Sequence, residues 1–339
     1  MGYRPRDREL AIELALELLA TGRVRGIPPN HRPAELERLL GRPFDEGLLH
    51  FSGNLLRDWG LLEAYYEREH EGSPWHGTLL MGQLHRMPKP LKWKDIAREL
   101  RRLGYEVTPE PQPTLEDDYF RVCESGAGAV VNGKDTGWPR GHIAKISSSD
   151  WLPVWSPSAP YDFNAVHRRI YVVTAEPERS WTAWLAAQQP ESHSQWFRLA
   201  HRAVHTVARE HPEREPQAAA LHDWLLSQAE AVNVLSDVEQ ALLTARCADG
   251  RFPFDALPAR PGSPSPDAII GRCLAVLPLT REAAQSLPIS WRELTPADVQ
   301  RSKLTRALLT AAHQVREKAT TQELIDELAA WDDVLPTIC

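Results

Sequence analysis

The spacing of hydrophobic residues changes along this chain, and that change constrains the fold more than any other feature of the sequence. The first 150 residues contain short runs of aliphatic and aromatic residues bounded by glycine, proline or asparagine, a pattern typical of β-strands. From Ser180 onward, apolar residues recur at three- and four-residue intervals, which indicates helices that bury one face. The sequence therefore predicts an α+β fold, with an N-terminal antiparallel sheet and helices followed by an all-α C-terminal region.

These patterns also place the individual elements and the domains. In the first part they predict helices at 7–20, 33–41 and 91–103, and extended runs at 59–67, 76–87, 118–123, 127–132 and 142–147. The run at 168–175 is a further candidate strand of the same sheet, so we predict an α+β domain over 1–175 and a helical domain over 176–339. The predicted helices of the second part are 180–189, 193–211, 215–231, 235–247, 279–287, 296–316 and 320–332.

Charge and composition narrow the classes of function. The chain carries 39 Lys and Arg against 46 Asp and Glu, and a net charge of -7 argues against nonspecific nucleic-acid binding by the whole chain. Its four cysteines are scattered and lack the spacing of a zinc knuckle, as is typical of proteins in a reducing compartment. The charged N-terminal residues contain no secretion signal, and no uncharged apolar run reaches about 18 residues, so we expect a cytoplasmic protein that does not span a membrane.

Three glutamates lie four residues apart on the first predicted helix. Glu9, Glu13 and Glu17 share one helix face, while Leu, Ile and Ala fill the rest. The prediction favoured by the pattern is a solvated face on a packed helix. The alternative is a docking stripe for a basic partner.

No catalytic motif is apparent, and the sequence predicts no catalytic residues and no cofactor. His201 and His205 lie one helical turn apart, as two zinc ligands would, but Arg202 occupies the position where a metalloprotease motif has glutamate. This pair is therefore a weak candidate for a metal site. An enzyme with a site between the two domains stays an alternative, in which residues 193–211 would supply ligands and the proline-rich loop at 253–266 a lid.

A cluster of basic residues surrounds the third predicted helix. Trp93 lies among these cations, and an aromatic residue within basic charge is a pattern that also occurs in nucleic-acid-binding proteins. Trp93 falls on the apolar face of the helix, however, so a solvated basic face is the favoured interpretation and nucleic-acid binding a second alternative. The candidate anion or nucleic-acid patch consists of Lys89, Lys92, Lys94, Arg98, Arg101 and Arg102.

Several short motifs in residues 33–107 resemble a known class of domain. A helix ends in Leu40-Gly41-Arg42-Pro43, a strand passes through Arg57-Asp58-Trp59-Gly60, and another ends in Gln83-Leu84-His85-Arg86. This combination resembles the small α+β immunity-like domains that actinobacteria encode beside polymorphic toxins. The match covers under a quarter of the chain, and no binding residues transfer from it.

The resemblance implies a protein-binding factor that neutralises or regulates a partner protein without catalysis. Such binding relies on complementary charge and a few aromatic anchors. Composition places the candidate partner-binding residues in an acidic, tyrosine-containing stretch and in the turn that follows it. They are Glu63, Tyr65, Tyr66, Glu67, Trp75 and His76.

Overall fold

The structure is a computed structural model, and it describes residues 8–49, 54–68, 72–109, 117–133, 139–148, 163–246 and 265–335. Contacts within the chain divide it into two compact units. The first unit takes in the described residues of Met1–Pro157 together with Ser286–Lys303. The second takes in those of Ser158–Gln285 and Leu304–Ile338. Most of the proline-rich loop predicted at 253–266 lies outside the described residues.

An eight-stranded antiparallel sheet forms the first unit, which confirms the predicted α+β class. The strands are β1 (Asp45–Leu48), β2 (Leu55–Asp58), β3 (Leu62–Glu67), β4 (His76–Gly82), β5 (Val107–Pro109), β6 (Asp118–Val122), β7 (Gly128–Val131) and β8 (Ile143–Ser147). Their order across the sheet is β1-β2-β3-β4-β8-β7-β6-β5. Two meanders of consecutive strands therefore meet where β4 pairs with β8.

Helices α1 (Arg8–Thr21), α2 (Pro33–Leu40) and α3 (Trp93–Arg102) accompany this sheet, and the first part of α11 (Pro296–Gln314) belongs to the same unit. Helix α3, predicted at 91–103, buries Trp93, Ile96, Ala97 and Leu100, and Gly104 follows it with a φ of 91°. Helix α1 is buried along almost its whole length, since its many alanines and leucines line the core.

The prediction of a solvated glutamate face on α1 is wrong for Glu17, whereas Glu9 is exposed and Glu13 is partly exposed. Glu17 is buried and accepts a hydrogen bond from the backbone N–H of Gly26 at 2.9 Å, and burial raises the pKa of its carboxyl group. Glu13 accepts a hydrogen bond from the indole of Trp291 at 2.7 Å and pairs with Arg292. A buried carboxylate such as that of Glu17 needs a partner of this kind, whereas Glu13 makes its contacts at the partly exposed surface of the first unit.

The two faces of the sheet differ in burial. Leu62, Ala64 and Leu80 lie on one face and are fully buried in a core shared with the leucines of α1. Leu56 and Tyr65 lie on the other face, are only partly buried and do not belong to that core as the structure describes it. We refer to this second side as the open face. Its side chains, taken from the strand register, are Asp45, Leu56, Asp58, Glu63, Tyr65, Glu67, Leu79, Met81, Thr108, Tyr119, Arg121, Val130, Lys145 and Ser147.

A turn interrupts the extended run predicted at 59–67. Strand β2 ends at Asp58 and β3 begins at Leu62. Between them Gly60 has a φ of 93°, in the left-handed region that favours glycine, and its N–H donates to the Asp58 carboxylate at 2.6 Å. The run at 76–87 is likewise shorter than predicted, because a 3₁₀ turn follows β4 at Leu84–Arg86.

Helices make up the described part of the second unit. They are α4 (Phe163–Val173), α5 (Glu178–Ala186), α6 (His193–Glu210), α7 (Glu215–Val232), α8 (Asp237–Arg246), α9 (Pro266–Ala275), α10 (Arg281–Gln285), the later part of α11 (Pro296–Gln314) and α12 (Gln322–Ala329). The strand predicted at 168–175 is wrong. Val166, Ile170 and Val173 instead recur at helical spacing in α4 and pack into a core with α6 and α7. β-branched residues favour strands only weakly, and packing overrides that preference.

Candidate functional site

Three polar side chains converge on the carboxylate of Glu63 on the open face. Glu63 is 4% exposed, and its oxygens accept hydrogen bonds from the guanidinium of Arg86, the amide of Gln83 at 2.5 Å and the hydroxyl of Tyr65 at 2.9 Å. The guanidinium of Arg86 also pairs with Asp58, with 2.8 Å between Nη1 and Oδ2. We refer to Asp58, Glu63, Tyr65, Gln83 and Arg86 as the Glu63 cluster.

Strand register and two turns bring this cluster together. Asp58 on β2 pairs directly with Glu63 on β3, so both carboxylates lie side by side on the open face. Gln83 follows the last residue of β4, and the 3₁₀ turn after it carries Arg86 back over β3. The Arg86 guanidinium is fixed there by a further hydrogen bond to the carbonyl oxygen of Gly60 at 2.7 Å.

The cluster is anionic and opens to solvent at one end. Two carboxylates face one guanidinium, which leaves one net negative charge. The side chains of Asp58 and Arg86 are 24% and 33% exposed, whereas Glu63 and Gln83 are buried. Burial, and then the hydrogen bond to Glu63, raises the pKa of Tyr65, so its hydroxyl stays protonated and acts as a donor.

The structure separates the residues predicted to bind a partner. Glu63 and Tyr65 lie in the cluster, and Glu67 is exposed farther along the same face. The expectation that Tyr65 and Tyr66 share one surface is wrong, because successive strand residues point to opposite faces. Tyr66 is fully buried on the core side of the sheet.

Trp75 and His76 lie where β4 begins. Trp75 is partly buried against the first core, and the guanidinium carbon of Arg68 lies 4.6 Å from the centre of its ring. This stacking of a cation on an indole is stabilising. His76 is exposed and opposite Glu67 in the strand register, so these two side chains belong to the same end of the sheet.

Tyr66 is held in the core by a buried histidine. The Nε2 atom of His31 is 2.9 Å from the Tyr66 hydroxyl, and its Nδ1 is 2.7 Å from the carbonyl oxygen of Pro28. Because a carbonyl only accepts, Nδ1 carries the proton and Tyr66 donates to Nε2. Burial lowers the pKa of His31, although the carbonyls of Pro28 and Pro29 oppose that shift.

We expect acidification to destabilise the first unit through His31. The pKa of His31 in the folded protein lies below the ordinary value of 6.5, so the unfolded chain takes up the proton first. The stabilising contribution of neutral His31 is therefore fully present above the ordinary pKa. It is lost as the pH falls through the lowered pKa of the folded protein. Hydrogen exchange of the β3 and β4 amides, corrected for intrinsic rates, measures this loss between about pH 7.5 and about pH 5.5. His31→Gln should show a smaller loss, and equal losses would contradict the assignment.

The predicted basic residues line the outer surface of α3 and the segment before it. All six of Lys89, Lys92, Lys94, Arg98, Arg101 and Arg102 are exposed. Two of them pair within the helix, Arg98 with Asp95 at 3.2 Å and Arg102 with Glu99 at 2.7 Å. Trp93 packs against Phe120 with 4.8 Å between ring centres and is buried, which confirms that it is a core residue. The tryptophan is therefore not available to stack on a base.

His201 lies in the core of the second unit. Its ring is fully buried and packs edge-on against His222 of α7, with 4.7 Å between ring centres. The side chain of His205 lies outside the described part of the structure. In the described part, no three His, Cys, Asp or Glu side chains come close enough together to hold a metal ion. His222 was not singled out from the sequence, because its partner lies 21 residues away on another helix.

Comparison of this chain with protein-family models, with curated proteins and with solved structures finds no match. Among the described residues, no helix has both the length and the apolar character that a membrane span requires. The open face and the Glu63 cluster therefore have to be interpreted from their own chemistry.

Proposed function

We propose that this chain is a protein-binding factor of the immunity type, which neutralises or regulates a partner protein by docking it on the open face. The observation that carries the proposal is the unequal burial of the sheet. One face packs into a buried core together with α1. The other face presents partly exposed aliphatic and aromatic side chains beside the Glu63 cluster. Apolar area next to a fixed polar group is the usual composition of a protein-binding surface.

The charge of the open face indicates what kind of surface the partner has. Near β1, β2 and β3 this face bears Asp45, Asp58, Glu63 and Glu67, and Arg86 pairs with two of these four carboxylates. A basic partner surface would complement it, and such complementarity speeds association and selects the partner. An enzyme that acts on or near nucleic acid is one class of protein with that kind of surface.

Site-specific crosslinking in the native host tests the proposal. A photoreactive benzoylphenylalanine replaces Leu79 or Leu56 on the open face, and Ile289, which is fully exposed elsewhere, serves as the matched control. We expect the two open-face positions to crosslink the same protein and position 289 to leave it unlabelled. The activity of that protein should then be inhibited when the purified chain is added.

Two results would contradict the proposal. The first is that position 289 crosslinks the same proteins as the two open-face positions. The second is a partner that binds at the open face and whose activity this chain leaves unchanged. An isolated chain that turns over a substrate on its own would instead favour the enzyme alternative.

A further inference from the structure

One buried atom in the Glu63 cluster has no hydrogen-bond partner among the residues that the structure describes. Gln83 is 4% exposed, and its amide nitrogen donates to Glu63 at 2.5 Å and contacts the sulfur of Met81 at 3.2 Å. Its amide oxygen is buried, and no described donor lies within hydrogen-bonding distance of it. A buried acceptor that is left in this state loses the hydrogen bond that water would give it, and this destabilises the folded chain.

Reversing the amide does not remove this cost. Rotation by half a turn would place the oxygen of Gln83 where its nitrogen now donates, against the carboxylate of Glu63. Two acceptors would then face each other, so Glu63 fixes the orientation in which the amide oxygen stays unsatisfied. A donor from outside the cluster is needed to complete the site.

We infer that the Glu63 cluster receives an arginine side chain of the partner protein. This inference rests on the proposed function, and it names the group that the open face recognises. The vacant acceptor of Gln83 requires an N–H or O–H donor, and the net negative charge of the cluster favours a cation. A guanidinium meets both requirements, because its five N–H groups lie in one plane and can bond a carboxylate and an amide oxygen together.

The exposed end of the cluster provides the entrance. Asp58 is one-quarter exposed, and its Oδ1 already accepts from the N–H of Gly60, which holds the carboxylate in place. Arg86 is one-third exposed and forms the rest of the rim. An incoming guanidinium pairs with Asp58, neutralises the remaining negative charge of the cluster and donates to the amide oxygen of Gln83. Tyr65 and Arg86 keep the carboxylate of Glu63 satisfied from the other directions.

Nuclear magnetic resonance of the whole chain tests this inference without the partner. The probe is N-acetyl-L-arginine amide, and its control is N-acetyl-L-citrulline amide, which has the same length and no charge. The side-chain amide signal of Gln83 is assigned as the one that disappears in Gln83→Met. We expect the arginine probe to shift this signal with a saturable curve and a Kd of about 1–10 mM, as for a single small group. The citrulline probe should leave it in place.

Two variants separate recognition from structure. Asp58→Asn keeps the shape of the side chain and removes its charge, so it should weaken binding of the arginine probe about tenfold while the backbone spectrum stays folded. Lys94→Met, on the exposed surface of α3, should leave the curve unchanged. The inference is overturned if the Gln83 signal does not respond to the arginine probe or responds equally to the citrulline probe. It is also overturned if Asp58→Asn binds the arginine probe as tightly as the parent chain does. Crosslinking at the open face would still be expected in those cases, so its outcome is independent of this one.

Discussion

Arg86→Met is expected to lower the free energy of unfolding of the first unit by about 2–3 kcal/mol. The substitution keeps most of the side-chain volume but removes the charge that pairs with the buried carboxylate of Glu63 and with Asp58. Loss of one partner in a fully buried ion pair costs about 3–5 kcal/mol, and water that reaches the one-third exposed Arg86 side chain reduces this figure. Hydrogen exchange of the β3 and β4 amides reports the first unit separately from the second.

A matched exposed arginine and a double variant make this result specific. Arg98 is 78% exposed and pairs with Asp95 within α3, so Arg98→Met should change stability by less than about 0.5 kcal/mol. Adding Glu63→Gln to Arg86→Met removes the uncompensated charge and should recover part of the loss. If Arg86→Met were as stable as the parent chain, the Glu63 cluster would not be an electrostatic unit.

Gly77→Ala is expected to destabilise the first unit by about 3 kcal/mol, at the upper end for an overpacked site. A Cβ at this position would lie 2.1 Å from the carbonyl oxygen of Pro29 and 3.0 Å from the Nδ1 atom and the carbonyl oxygen of His31. These are mainly backbone atoms that cannot move independently, since the N–H of Gly77 also donates to the His31 carbonyl at 2.7 Å. The strand and the segment that carries His31 would have to separate.

Gly47 provides the matched control for that substitution. It also lies in a strand, β1, but a Cβ there would meet no atom within 4 Å. Gly47→Ala should therefore be neutral or stabilising by up to about 1 kcal/mol, because alanine reduces the freedom of the unfolded chain. Urea unfolding measures the difference in the free energy of unfolding between the two variants. Hydrogen exchange of the β4 amides assigns that difference to the first unit. Equal stabilities for the two variants would show that the contact between β4 and Pro29 is loose.

The residues of the Glu63 cluster were only partly visible in the sequence. Asp58, Gln83 and Arg86 belong to motifs that support the resemblance to immunity-like domains, and Glu63 and Tyr65 were picked out by composition. No pattern in the neighbouring sequence indicated that the motif residues contact Glu63 and Tyr65, because a strand and two turns separate Glu63 from Arg86. Strand alternation would have separated Tyr65 from Tyr66, since neighbouring residues in a strand face opposite ways.

The local sequence determined those helices and strands whose hydrophobic period and end signals lie within one short segment. The sequence predicted helix α3, strands β6, β7 and β8, and most helices of the second unit, because the hydrophobic period and the signals at element ends act over a few residues. The start of α11 shows how local such a signal is: Thr295 and Asp298, three residues apart, bond each other's backbone N–H groups at 3.1 and 3.2 Å.

Tertiary structure alone decided which segments meet and which charges are buried. The pairing of β4 with β8 brings together residues more than 60 positions apart, and the burial of Glu17 depends on a loop that folds back onto α1. The strand order places one face of the sheet against α1 and leaves the other partly exposed. Such long-range contacts are selected by the total area buried, which no window of the sequence contains.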